Sequence, residues 1–73
     1  MVDHRKLKAR MVLAGHNQQT LLAAIKSTGY KMSKNTLGKK LNGGAPMFCD
    51  DADILCQVLQ INEPAERAEI FLA

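Results

Sequence analysis

The chain has 73 residues, 47 % of them hydrophobic, with Tyr30, Phe48 and Phe71 as its only aromatics and a formal net charge of +3. That length accommodates one domain, residues 1–73, with a small core that must use every apolar face; no apolar run approaches the roughly 20 residues that span a bilayer, and "MVDHRKLKAR" lacks the apolar segment of a signal peptide, so a cytoplasmic protein is expected. The charge is uneven: residues 1–41 hold nine basic residues against Asp3 alone, and residues 42–73 hold Arg67 against six acidic residues, as expected of a molecule with one polyanion-facing side and one side turned away.

A first helix is predicted from about Asp3, its cap, to Ala14. Leu7, Met11 and Ala14 share one face, and Gly15 supplies the stop. Asn17 caps a second helix, "QQTLLAAIKST", with Leu21, Leu22 and Ile25 inward. Gly29 ends it, and "GYKM" leads to Ser33, the cap of a third helix, "KNTLGKKL". Its only apolar residues are Leu37 and Leu41, four apart. Gly43, Gly44 and Pro46 break the chain again. A fourth helix, from about Asp50 to Gln60, begins with acidic residues, which suit the positive end of a helix dipole. Ile54, Leu55, Val58 and Leu59 form its apolar stripe. Cys49 and Cys56 are seven apart; on one helix that is a rise of about 10 Å, too far for a disulfide, and both read as free thiols. Asn62 and Pro64 open a short fifth helix, "PAERAEIFLA", with Ile70, Phe71 and Leu72 at its apolar end. No segment alternates as a strand would, so the expected fold is all-α, a compact bundle of five short helices.

Two short helices joined by a turn, the second polar and basic outward, are the parts of a helix-turn-helix. In that unit the first helix crosses the DNA backbone, which makes Asn17, Gln18 and Gln19 at its start candidates for phosphate contact. The second lies in the major groove and offers its N-terminal residues to base edges. The base-contact candidates are Ser33, Lys34, Asn35 and Thr36, with Gly38 and Lys39 one turn later. Asn can bond an adenine edge bidentately, Lys can reach guanine O6 and N7, and a Thr methyl can meet a thymine methyl. A mid-helix glycine costs about 1 kcal/mol relative to alanine, so Gly38 fits a place where the helix backbone sits close to DNA. Lys31 in the turn, Lys40 and Asn42 are assigned to phosphates. Tyr30 either touches the DNA backbone or, the preferred reading, packs on the edge of the core.

The order "QQTLLAAI … SKNTLGKKLNG … DADILCQVLQI" resembles the phage repressor and Cro family of helix-turn-helix domains, also called Xre-like. The matching features are Gln18 and Leu21, Ser33 as the cap, Leu37, the closing Leu41–Asn42–Gly43, and Leu59–Gln60–Ile61 at the end of a later helix. The tail "AERAEIFLA" is similar to that of small Cro-like regulators from phages and prophages of Gram-positive bacteria, and the resemblance runs from about Leu7 to Ala73. It implies a lambda-repressor-like DNA-binding domain and a transcriptional regulator in the bacterial cytoplasm. Its partner would be a double-stranded DNA operator, bound as a homodimer on a pseudo-palindromic site through the acidic, apolar-ended C-terminal part. Of the apolar residues Phe48, Ile70, Phe71 and Leu72 that could form a dimer surface, Phe48 and Ile70 are assigned to the core. One departure is the stretch "IKSTGYKMS", longer than the family's tight turn; either the second helix is extended or the turn bulges. The alternatives are an antitoxin-type regulator that binds a toxin through its C-terminal end, and a protein-interaction module with a vestigial helix-turn-helix. An enzyme is not expected, because no carboxylate–His or Cys–His set has useful spacing. Neither a metal, a cofactor nor a small-molecule ligand is expected; His4 and His16 lack the spacing of zinc ligands.

Overall fold

In the computed structural model, which describes residues 2–72, five helices follow one another: α1 (His4–Leu13), α2 (Gln18–Ser27), α3 (Lys34–Asn42), α4 (Cys49–Leu59) and α5 (Pro64–Phe71). No strand occurs among the described residues, and no helix is long and apolar enough to cross a membrane. Ala73, which the sequence places in the fifth helix, lies outside the described residues.

Local chemistry sets the helix ends. Asp3 accepts from the Lys6 N–H at 3.1 Å, and Ser33 accepts from the Thr36 N–H at 3.1 Å. Asn17 and Thr20 cap each other reciprocally: the Thr20 N–H donates to the Asn17 side chain, and the Asn17 N–H donates to the Thr20 hydroxyl. Each such cap is worth about 1 kcal/mol. At the far end of α3, Gly43 takes the left-handed conformation at φ +83 and donates its N–H to the Lys39 carbonyl, a stop that a side chain would strain. Asp51, in the first turn of α4, accepts the Phe48 N–H at 3.0 Å.

The apolar periodicity becomes one core. Leu7 from α1, Leu21 and Ile25 from α2, Leu37 from α3, and Leu55 and Leu59 from α4 are fully buried, and Ile61, Ile70 and Phe71 close the cluster. Burial of a side chain of this size contributes about 1.5–3 kcal/mol. α2 packs against both α3 and α4, while α1 packs against α3 and α5. The Asp3 N–H donates to the Ile70 carbonyl at 2.6 Å and joins the start of α1 to α5.

Three local expectations need correction or completion. Ala14 is exposed, because α1 ends at Leu13 and Ala14 is its C-cap, beyond the inward face. Phe48 is not core; it is 63 % exposed, because it stands at the N-cap of α4, before the inward face of that helix begins. The lengthened stretch is a bulging connection, not an extended helix: α2 stops at Ser27, Gly29 turns the chain at φ +90, and residues 28–33 carry it to α3. Tyr30, half-buried in that connection, packs on the core edge.

Candidate nucleic-acid interface

α3 has two faces with different chemistry. Leu37, Lys40 and Leu41 are buried, whereas Lys34, Asn35, Lys39 and Asn42 are exposed and Gly38 is half-buried. The outward set has the spacing of a single helix face. With Gln18 and Gly44 it lines a shallow depression of about 380 Å³. The Gln18 amide donates to the Lys34 carbonyl at 3.3 Å, so the start of α2 rests on the start of α3. Gly38 makes that possible: a Cβ there would stand 3.0 Å from Gln18 Nε2. The glycine therefore serves close approach within the molecule, whatever approaches from outside. Asn42 is held from both sides, donating to the Gly38 carbonyl at 2.9 Å and accepting from Lys8 Nζ at 2.5 Å.

The remaining candidates fall into two groups. Ser33 and Thr36 turn toward each other, their hydroxyls 2.8 Å apart. With Lys26, Tyr30 and Lys31 they border a second open depression of about 650 Å³ beside the bulged connection. Asn17 and Gln19 are exposed at the start of α2, with the Asn17 side chain committed to its cap. Lys26 and Lys8 adjoin these surfaces although the sequence motifs gave them no role; only their membership of the basic half marked them.

Lys40 overturns its assignment to a phosphate. Its side chain is buried and paired with the equally buried Asp51. Its ammonium also donates to the Pro46 carbonyl at 3.2 Å and lies 4.8 Å from the centre of the Phe48 ring. The reason is positional: residues 37, 40 and 41 stand at i, i+3 and i+4, so Lys40 shares the inner face with the two leucines. Asp51 also accepts from the Tyr30 hydroxyl at 2.5 Å and from the Phe48 N–H. Burial alone would push the Asp51 carboxyl up, but the donors from Lys40, Tyr30 and Phe48 outweigh it and hold the carboxyl below its ordinary range. The same hydrogen bond to Asp51 pushes the Tyr30 hydroxyl up to about 12. No functional motif singled out Asp51; its signal was its place three residues after Phe48, where a carboxylate can cap α4.

The charge asymmetry of the sequence is partly consumed inside the fold. Among the described residues three ion pairs join the basic half to the acidic half: Lys6–Glu69, Arg10–Glu66 and Lys40–Asp51. Arg67 pairs with Asp53 within the acidic half, and that contact raises the guanidinium further above its ordinary value. Among the described residues Arg5, Lys8, Lys26, Lys31, Lys34 and Lys39 have no carboxylate partner, and Lys34 and Lys39 stand on the outward face of α3. Cys49 is exposed and Cys56 buried, both as free thiols; burial pushes the Cys56 thiol up.

No protein-family model, curated protein or solved structure matches the chain.

Proposed function

We propose that this chain is a sequence-specific double-stranded DNA-binding protein, a Cro-like transcriptional regulator of the lambda-repressor-like type, with α2 and α3 as its helix-turn-helix. The observation that carries the reading is the composition of the outward α3 face: Lys34, Asn35 and Lys39 stand together with no acidic side chain, while the one lysine facing inward is neutralised by Asp51. A helix about 10–12 Å across fits a major groove about 12 Å wide. Asn35 and Lys39 supply donors and an acceptor to base edges. Lys31 and the amides at the start of α2 take phosphates. The six cations without a carboxylate partner among the described residues supply the salt-sensitive, sequence-independent part of the affinity.

A homodimer on a two-fold symmetric site belongs to the same proposal. Its support is an apolar groove of about 200 Å³ that includes Val2, Met47, Phe48, Ala52, Phe71 and Leu72; Phe48 and Leu72 are largely exposed there. The same groove favours the second reading, an antitoxin-type regulator whose C-terminal part takes a protein partner.

The test is retention of a random duplex pool at two salt concentrations, followed by sequencing. The expected result is enrichment of a two-fold symmetric site, with affinity falling steeply as salt rises. Retention without enrichment would leave non-specific binding alone, and no retention at either salt would overturn the proposal.

A further inference from the structure

We propose that Asp51 is a positioning residue that fixes the roll and tilt of α3 through Lys40 and Tyr30, and thereby sets which α3 side chains face the DNA. The inference rests on the proposed function. Its basis is that one buried carboxylate holds both the connection that leads into α3 and the last turn of α3. Tyr30, in the connection just before α3, donates to one oxygen at 2.5 Å; Lys40, near the end of α3, pairs with the other. The Phe48 N–H donates to that second oxygen at 3.0 Å, so the same carboxylate also holds the start of α4. α3 and α4 are not among the molecule's principal helix-to-helix contacts, which leaves this cluster as a direct tether between them.

α3 needs such a tether. Of its nine residues only Leu37, Lys40 and Leu41 are buried. Leu37 and Leu41 set its inward stripe, and Gln18 at the Lys34 carbonyl and Lys8 at Asn42 hold it to α2 and α1. On the side of α4, Lys40 is the point that fixes its roll. Successive residues turn by about 100°, so a roll that freed Lys40 would swing Lys39 and Asn35 away from their present direction. A lysine's ordinary course is to extend its charge to water; here Asp51, the Pro46 carbonyl and the Phe48 ring hold it inside. Stability does not account for the arrangement. A buried ion pair is worth little net against apolar residues of similar volume, whereas its geometry is specific.

The test uses two variants of the full chain. Lys40→Met with Asp51→Asn removes both charges at similar volume and leaves an acceptor for the Phe48 N–H. Tyr30→Phe removes one donor and keeps the ring. Residual dipolar couplings of the free protein read the orientation of α3 against α2 and α4. Affinities for the selected duplex and for a random duplex give the specificity ratio. In folded variants α3 reorients, and the ratio falls about tenfold or more, the scale of one base pair's discrimination; random-duplex affinity and its salt slope stay unchanged, because the outward lysines remain. An unchanged orientation, an unchanged ratio, or equal loss on both duplexes would overturn the proposal. If the wild-type chain selects no site, the proposed function fails, while the couplings still report whether Asp51 fixes α3; Tyr30→Phe carries the test should the double variant not fold.

Discussion

Lys39 and Lys40 are neighbours in sequence and opposites in the fold. Lys39 stands on the open face of α3, beside Asn35 and Gly38. Lys40 is buried against Asp51. The difference shows that helix geometry divides a basic run between an exposed charge and a buried ion pair. The larger comparison, basic half against acidic half, divides similarly. Lys6, Arg10 and Lys40 join the two halves as ion pairs, while Arg5, Lys8, Lys26, Lys31, Lys34 and Lys39 have no carboxylate partner among the described residues.

The strongest way to break the comparison is to truncate each lysine. Lys40→Ala leaves Asp51 buried without its counter-charge and is expected to cost about 3–5 kcal/mol of stability, measured by urea unfolding. Lys39→Ala is expected to stay within about 0.5 kcal/mol by the same measurement. Equal effects would erase the distinction. On the outward face, Asn35→Ala is expected to lose about 1–3 kcal/mol of discrimination at one base position, read by repeating the duplex selection with the variant. Lys31→Ala is expected to weaken all sequences alike and to lower the salt slope by about 0.9, read from binding titrations across salt.

The inner face has its own signature in pH. Asp51 is held below its ordinary range, so its contribution is present in full above a pH of about 4 and drains away as the pH falls through the folded-state value. Tyr30 is raised, so its contribution is present below about pH 10 and is lost as the pH climbs toward about 12. Unfolding midpoints across pH should show a larger alkaline loss in the wild-type chain than in Tyr30→Phe, which lacks the Tyr30 contribution. The smallest effect is expected for Gly38→Ala. The helix gains up to about 1 kcal/mol, but the new Cβ meets Gln18 Nε2 at 3.0 Å and must displace it, so the unfolding midpoint should hardly move.

What could be read in the sequence was what local chemistry decides. Asp3, Asn17 and Ser33 cap their helices as expected, because a short polar side chain bonds to a backbone N–H only three residues away. The five helices and most of the leucine core follow from spacing. Lys40 was legible in principle: it shares the inner stripe with Leu37 and Leu41, but its charge argued louder than its position. Phe48 failed for the opposite reason, since an aromatic residue is expected inside and this one precedes a helix start. The contact of Gly38 with Gln18 and the convergence of Tyr30 and Lys40 on Asp51 join residues far apart in the chain. Only the packing of α2 over α3, and of the bulged connection over α4, brings them together.

The most direct test of the account is an amide chemical-shift titration of the free protein with a mixed-sequence duplex at low salt. The expected result is that the largest changes fall on Gln18, Lys34, Asn35, Gly38 and Lys39, with the α5 amides nearly still. Changes confined to α4 and α5, or none at all, would contradict the assignment of the outward α3 face to DNA.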